Sequence, residues 1–337
     1  MRGIRYLAAV ASFVSALPLA ANAATWSMTS PYPDRNLNTV IARQFAESVK
    51  GLSGGELEIK FFGAGSLFKY SETKNAVQTG TVEIGMIILN DIAPENIVFE
   101  MDSLPFLATS YDQARVLWNV SRRPIEKILQ SQGLMALFAI PYSPQGIFSK
   151  KPLDSISDFS GLKIHAPSSA ARSLAEMVEA VPLTTPAHEI PLSLATGQID
   201  AVVTSPLTGE FFKLWQEVSY YTHVSAWIPK NLVVMNAKAF SKLPANVQKN
   251  LRDAASRTEE LAWRTSETRS NESISILQKN GIKINYPSDE FKKALHKLGG
   301  KIILKSLSES KEEGRMIFRD FILTYDEDFC ELCQCCD

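Results

Sequence analysis

A chain of 337 residues exceeds the roughly 250–300 residues over which one hydrophobic core usually grows, so its length predicts two lobes. Its 35 Lys and Arg residues nearly balance 36 Asp and Glu residues, and 45% of the chain is hydrophobic. A net charge of -1 favours neither nucleic acid nor an anionic membrane surface as a partner.

The segment before Ala24 has the features of a secretory signal peptide. Arg2 and Arg5 provide a basic start, residues 6–20 form an apolar run, and residues 21–23 (Ala-Asn-Ala) fit a signal-peptidase site. The alternative is a membrane-spanning helix, but the run is shorter than the ~20 residues that a span needs. We therefore expect residues 1–23 to be removed and the mature protein to reside in the periplasm.

The first part of the mature chain alternates between strand and helix patterns. A helix with the apolar stripe Val40, Ile41, Phe45 and Val49 follows the first strand, and a second helix ends at Gly80. The predicted order is βαβαβ, with strands at 25–30, 54–62 and 81–89 and the second helix at 70–80.

The same order returns in the middle of the chain. Glu72 precedes Gly80 by eight residues, and Glu189 precedes Gly197 by the same spacing. This second unit therefore predicts a second α/β lobe, with strands at 162–166, 182–185 and 198–205 and helices at 168–180 and 188–197.

Two segments, 140–161 and 226–240, cross between these units and predict a hinge, and long helices at 243–281 and 290–323 close the chain. The expected fold is α/β with two lobes, each a βαβαβ-based sheet flanked by helices. We assign residues 24–144 and about 232–272 to lobe I, and residues 145–231 and about 273–325 to lobe II.

His165 ends one predicted strand, and Ser168 or Ser169 is a candidate N-cap for the helix that follows. In open α/β sheets, ligands bind outside the carboxyl ends of the strands, close to helix N-termini. The alternative is a strand-end histidine that bonds only to backbone. Its position favours a ligand contact at the mouth of a cleft between the lobes.

Catalytic motifs are weak in this sequence. The stretch GLSGG at 51–55 fits G-x-S-x-G, but it runs from a helix into a strand, which is the reverse of a nucleophile elbow. No P-loop, HExxH or dinucleotide-binding GxGxxG is present. Two alternatives to a binding protein stay open: a periplasmic hydrolase or isomerase with His165 as base, and an interaction or sensor protein without a small ligand.

All the cysteines lie in the last eight residues, at positions Cys330, Cys333, Cys335 and Cys336. Thiolates suit zinc or copper(I), but structural zinc sites usually draw ligand pairs from separated segments. We interpret residues 326–337 as a disordered tail and assign neither a metal nor any other cofactor.

Five stretches in series resemble the extracytoplasmic solute receptors of tripartite ATP-independent periplasmic (TRAP) transporters, in their dicarboxylate-receptor-like family. They are SLFKYSETKNAVQTGTVEIGM, MDSLPFLATSYDQARVLW, DSISDFSGLKIHAP, LATGQIDAVVTSP and KLPANVQKNLRDAA. The resemblance implies a two-lobed periplasmic binding protein, expected to be a monomer. Such a protein delivers a small solute, usually an organic acid, to a membrane permease and has no catalytic step.

The resemblance also implies an arginine at the position of His165, where it would clamp a ligand carboxylate through two parallel hydrogen bonds. Histidine offers one directed contact per ring edge and has an ordinary pKa near ~6.5. The substitution leaves three ligand classes open: an acid held by amides and hydroxyls, a neutral solute, and an amine or aromatic solute.

The resemblance implies further pocket positions, which are assigned only by their place along the chain. For each of them the alternative is a capping or surface role, because polar groups are common at strand ends. Besides His165 and Ser168, the candidates are Tyr32, Asn36, Glu72, Asn90, Gln145, Thr204, Ser205 and Trp227.

Overall fold

The computed structural model describes residues 23–325, so the expected signal peptide up to residue 22 and the cysteine tail lie outside the described residues. Two sheets and the helices around them make up this part of the chain. The strands are β1 Ala24–Thr29, β2 Leu57–Phe62, β3 Ile84–Ile88, β4 Leu134–Pro141, β5 Gly146–Ser149, β6 Lys163–His165, β7 Val181–Leu183, β8 Ala201–Thr204, β9 Tyr220–Thr222, β10 Lys230–Asn236 and β11 Lys283–Asn285. The α-helices are α1 Leu37–Leu52, α2 Tyr70–Thr79, α3 Tyr111–Ser131, α4 Ser169–Met177, α5 Ile190–Ala195, α6 Pro206–Phe211, α7 Ala237–Ser241, α8 Ala245–Lys279, α9 Asp289–Glu309 and α10 Glu312–Tyr325.

The first sheet has the strand order β2-β1-β3-β10-β4. Strands β1, β2 and β3 are parallel, whereas β10 runs antiparallel to both β3 and β4. The carboxyl ends of β1, β3 and β4 therefore lie at the same edge of the sheet as the start of β10. This edge, at Thr29, Ile88, Pro141 and Lys230, is called the lobe I edge below.

The second sheet has the order β11-β9-β5-β8-β6-β7. Strand β5 runs antiparallel to its neighbours β8 and β9, and β6 is parallel to β7 and β8. The start of β5 thus adjoins the carboxyl ends of β6, β8 and β9. This edge, at Gly146, His165, Thr204 and Thr222, is called the lobe II edge.

The predicted repeat of two βαβαβ units is confirmed, with shorter elements in the second unit. The helix expected at 188–197 is a 3-10 turn at Ala187–Glu189 followed by α5, and Pro191 lies in the first turn of α5. Proline is tolerated there because the first amides of a helix have no partner within it.

A glycine determines how closely the second helix of the first unit approaches its sheet. A Cβ atom on Gly85 of β3 would lie 2.7 Å from methyl carbons of both Thr73 and Val77 on α2. Only glycine permits this contact. The close approach brings the start of α2, at Tyr70, next to the end of β3.

The two crossing segments between the sheets pair with each other. The Tyr142 amide donates to the Pro229 carbonyl at 2.9 Å, the Gln145 amide donates to the Trp227 carbonyl at 2.9 Å, and the Ala226 amide donates to the Gln145 carbonyl at 2.8 Å. The chain thus passes between the lobes as a short two-stranded ribbon. Because both sheet edges adjoin this ribbon, the lobe I edge and the lobe II edge lie on either side of one cleft.

The C-terminal helices connect the lobes in a way that differs in part from the predicted assignment. Helix α8 contacts α1 and β4 of the first lobe and α6 and β11 of the second. Helix α10 was expected in lobe II, but it packs against α3 of lobe I, because Ile317 and Phe321 join the core cluster that contains Leu117. The other lobe boundaries stay predictions. None of the helices within residues 23–325 is long and apolar enough to cross a bilayer.

Glu259 fastens α8 to the first lobe through a buried carboxylate. It accepts hydrogen bonds from Trp118 Nε1 (3.1 Å), Arg122 Nη1 (2.9 Å) and the Ala139 amide (2.8 Å). The carboxylate thereby joins α8, α3 and the middle of β4.

We predict that Glu259→Ala lowers the free energy of unfolding by about 2–3 kcal/mol, because it leaves buried donors of Trp118 and Ala139 without a partner. The neighbouring Glu260 pairs with Arg115 at the surface, so Glu260→Ala should cost less than about 1 kcal/mol. Urea unfolding of both variants checks this difference, and equal losses would contradict the role given to Glu259.

Candidate functional site

A network of two phenols and one amide lies at the lobe I edge. The hydroxyls of Tyr32 and Tyr142 are hydrogen-bonded to each other, and the Tyr32 hydroxyl donates to Asn231 Oδ1 at 3.1 Å. Asn231 sits opposite Ile88 on one side and Ile140 on the other. Its amide is therefore held between the ends of β3 and β4, close to the crossing ribbon.

A third phenol extends this network. The Tyr70 hydroxyl accepts from the Ile88 amide at 3.2 Å and also bonds to the Asp91 carboxylate. Burial raises the pKa of Tyr32 and Tyr70 well above the usual range for a phenol and raises the pKa of Tyr142 to about 12. All three phenols are therefore protonated at neutral pH and neutral.

Three polar atoms at this edge have no partner among the described residues, namely Thr29 Oγ1, Asn90 Oδ1 and Asn231 Nδ2. Asn231 is fully buried, and with its Oδ1 accepting from Tyr32, its Nδ2 group donates to nothing. Asn90, two residues beyond Ile88, has a buried Oδ1 atom without a donor. A buried unpaired amide group costs about 1–3 kcal/mol, so such atoms are rare unless a ligand or water supplies the partner.

His165 lies at the lobe II edge as a neutral imidazole. It is 7% exposed, and its Nδ1 atom accepts from the Thr185 amide at 3.3 Å. Burial lowers the pKa of His165 to about 4. With Nδ1 accepting, the proton of the neutral ring is on Nε2, which is a donor with no hydrogen-bond partner among residues 23–325.

The start of α4 differs from the sequence prediction. Ser168 is its N-cap, as expected, and accepts from the Ala171 amide at 3.1 Å. Glu100, from the 3-10 helix Ile97–Ser103 of the first lobe, reaches this helix end. Its carboxylate accepts from the Ser169 hydroxyl and from the Ala170 amide at 3.2 Å. The Ala170 amide at this helix end is therefore not free for a ligand, because the protein's own carboxylate occupies that position.

Three other predicted residues lie at the lobe II edge or in the ribbon. Thr204 is buried at the end of β8, opposite Gly146, and Ser205 caps α6 by accepting from the Thr208 amide at 3.2 Å. Gln145 is buried and donates from Nε2 to the Ser143 carbonyl at 2.9 Å.

Three predicted site residues have structural roles instead. Asn36 is the N-cap of α1 and accepts from the Asn38 amide at 2.9 Å, and the exposed Glu72 accepts from the Lys69 amide at 3.0 Å at the start of α2. Trp227 is buried in the core of lobe II, where it lines a small apolar cavity of about 30 Å³ with Phe106 and Leu295. These contacts account for all three side chains without a ligand.

Sequence reasoning missed five polar residues at or beside the two sheet edges. Tyr70 and Asp91 lie beside segments that the prediction did consider, whereas Tyr142 and Asn231 lie in or next to the crossing segments, which it treated as connections. It also missed Arg172, which donates to the Pro182 carbonyl (3.4 Å) and to Thr184 Oγ1 (2.9 Å) next to the His165 partner Thr185. The sequence signal that could have identified Tyr142 and Asn231 was the presence of polar residues within the two crossing segments.

Two lobes joined by a ribbon, with neutral polar groups facing a cleft, define a small-solute binding protein. The model of the family "Bacterial extracellular solute-binding protein, family 7" (DctP) matches residues 30–309. The chain belongs to this family, so the predicted resemblance is confirmed. Its members are extracytoplasmic binding proteins, and those of the TRAP type bind small-molecule solutes and work with membrane permease subunits.

Solved structures of similar proteins support the same class. DctP6 of Bordetella pertussis, a receptor binding pyroglutamic acid, is 36% identical, with 88% of this chain and 99% of that chain covered and a TM-score of 0.85. DctP7 of the same organism, also binding pyroglutamic acid, is 34% identical over 89% and 99%, with a TM-score of 0.85. A marine metagenome TRAP receptor specific for pyroglutamate is 32% identical over 89% and 98%, with a TM-score of 0.83. The hydrolase or isomerase alternative finds no support among these proteins.

The lowered pKa of His165 predicts acid sensitivity. In the unfolded state His165 binds a proton below pH ~6.5, whereas in the folded state it stays neutral down to about pH 4. The contribution of His165 to the free energy of unfolding is therefore fully present above pH 6.5 and declines as the pH falls towards 4. The contribution of His165 amounts to at most roughly 3 kcal/mol.

Urea unfolding between pH 7 and pH 4 checks this prediction. His165→Asn, whose amide oxygen can replace Nδ1 as acceptor, should reduce the pH dependence in that window, and the remainder comes in part from His223 and His296, whose pKa values burial also lowers. His188→Asn is the matched control, because His188 is exposed at the surface. An unchanged slope in His165→Asn would show that His165 is not the group that titrates.

Proposed function

We propose that this protein captures one small organic acid, pyroglutamate or a close analogue, between its lobes and delivers it to a TRAP permease in the periplasm. The observation that carries the proposal is the pair of sheet edges on either side of the ribbon, where the buried Asn231 Nδ2 atom and the His165 Nε2 atom are donors without partners among residues 23–325. Identities of 32–36% to pyroglutamate-binding receptors support the ligand class.

The proposed site combines residues from both edges. From lobe I it takes Tyr32, Tyr70, Asn90, Tyr142 and Asn231. From lobe II it takes His165 and Thr204, with Gln145 in the ribbon between them. Ser168 and Ser205 support the site as helix caps. Asn36, Glu72 and Trp227 are left out of it because caps and core packing account for them.

Charge recognition in this site relies on neutral donors and on Arg172, since Lys230 at the lobe I edge is already paired with Asp102. His165 gives a single hydrogen bond from Nε2 to the acid, whereas an arginine would give two parallel ones. Arg172 is held at the rim by the same loop that contacts His165, and no carboxylate within hydrogen-bonding distance neutralises it in residues 23–325. Its positive charge favours an anion in the cleft.

We further propose that the protein binds its ligand without turnover, as a monomer, with no cofactor and no nucleic acid partner. An imidazole whose pKa is about 4 is a weak base at neutral pH, which argues against His165 as a general base. Secretion through the N-terminal signal peptide would bring the receptor to the periplasm.

Thermal unfolding and calorimetry with pyroglutamate test the proposal. A ligand present at 100 times its dissociation constant should add about 2.7 kcal/mol to the free energy of unfolding. Chromatography should recover the ligand unchanged. No stabilisation by pyroglutamate or by other small acids, or conversion of the acid into product, would refute the receptor proposal.

We predict that His165→Ala weakens binding at least tenfold, about 1.4 kcal/mol, because one directed donor to the acid is lost. His188→Ala is the control and should bind as the wild type does. Since His165 is neutral above pH 6, affinity should stay constant between pH 6 and pH 8. A steep loss of affinity as the pH rises through 7 would indicate an imidazolium contact instead.

A further inference from the structure

The lobe I edge contains an amide donor and an amide acceptor that the protein itself leaves unused, besides the unpaired hydroxyl of Thr29. Asn231 Nδ2 is a fully buried donor, and Asn90 Oδ1 is a buried acceptor. Asn231 lies opposite Ile88, which ends β3, and Asn90 follows Ile88 by two residues. The two unpaired atoms therefore belong to the same strand end.

The amide of Asn231 cannot serve a ligand through both of its atoms. Its Oδ1 already accepts from Tyr32, and the Tyr32 hydroxyl is in turn bonded to Tyr142. In this arrangement Oδ1 faces the network and the NH2 group is left free. A ligand must therefore meet Asn231 with an acceptor and must satisfy Asn90 with a donor.

The phenols that contact Asn231 are uncharged, and the charged groups at this edge are the Asp91 carboxylate, which bonds to Tyr70, and Lys230, which pairs with Asp102. The phenols of Tyr32 and Tyr142 are protonated at neutral pH because burial raises their pKa. A carboxylate provides acceptors only, so it leaves Asn90 Oδ1 unpaired. A lactam or another amide provides a carbonyl acceptor and an N–H donor side by side and needs no counter-charge.

We propose that the lobe I edge recognises the amide of the solute, with Asn231 Nδ2 donating to its carbonyl and Asn90 Oδ1 accepting from its N–H. The acid group then faces His165 on the lobe II edge. This inference rests on the proposed function and adds a division of labour: lobe I selects the ring amide, and lobe II holds the acid. A site built to bond a polar group strongly rejects analogues that lack it, because its own buried groups are then left unpaired.

Three ligands of similar size separate the two contacts. Pyroglutamate has both the carbonyl and the N–H, 5-oxotetrahydrofuran-2-carboxylate replaces the N–H by a ring oxygen, and cyclopentanecarboxylate lacks both groups. Calorimetry should show wild-type affinity falling at least tenfold at each step of this series. Equal affinities for all three ligands would overturn the inference while leaving the receptor proposal intact. If none of the three binds, the proposed function itself fails.

Asparagine variants assign each contact to one residue. Asn231→Ala should weaken pyroglutamate and the lactone at least tenfold and change the affinity for cyclopentanecarboxylate less than twofold. Asn90→Ala should weaken pyroglutamate at least fivefold and change that for the lactone less than twofold. A uniform loss across the three ligands would mean that the variants act through structure, and it would overturn the assignment.

Two further variants control for folding and for the tyrosine contact. Asn36→Ala removes an asparagine that caps α1, so it should lower stability and leave all three affinities unchanged. Tyr32→Phe removes the bond to Asn231 Oδ1 but keeps Nδ2, so the preference for pyroglutamate over cyclopentanecarboxylate should persist. Loss of that preference in Tyr32→Phe, with the fold intact by circular dichroism, would contradict the role given to Asn231 Nδ2.

Discussion

The pairing of the two crossing segments is the constraint on which the rest of the site depends. Three backbone hydrogen bonds between residues 142–145 and 226–229 hold the end of β4 and the start of β10 beside the start of β5. Both sheets therefore present an edge to the same cleft. A ribbon with few bonds can also bend, as hinges do when two lobes close around a solute. The same short segment thus brings Tyr142 and Asn231 into the site and allows the lobes to move.

Neutrality is the second feature that shapes this site. The protonated phenols, the amide of Asn231 and the neutral ring of His165 provide directed hydrogen bonds without a formal charge. The Glu100 carboxylate crosses between the lobes near α4, where it bonds to a helix N-terminus of the other lobe. A helix N-terminus stabilises negative charge, so this contact favours association of the lobes. It also keeps an anionic ligand away from that position.

Hydrophobic periodicity is local, and so it predicted the strands and helices of both units and the strand-end position of His165, whereas Tyr32 and Asn90 were predicted only from the family resemblance. Antiparallel pairing between distant segments is not local, and so the roles of Tyr142 and Asn231 could not be predicted. Asn36 and Glu72 were predicted as ligand contacts from the resemblance alone, and a polar residue next to a helix start has the same sequence pattern whether it binds a solute or caps a free amide. Glu100 was missed because it lies 69 residues before Ser169 in the sequence, and only the fold brings the two residues into contact.

A crystal structure with pyroglutamate tests the central claim most directly, namely that one small acid is held between the two sheet edges. We expect the ligand carbonyl within hydrogen-bonding distance of Asn231 Nδ2, its N–H close to Asn90 Oδ1, and its carboxylate close to His165 Nε2. A ligand bound to one lobe alone, or away from the ribbon, would contradict this arrangement.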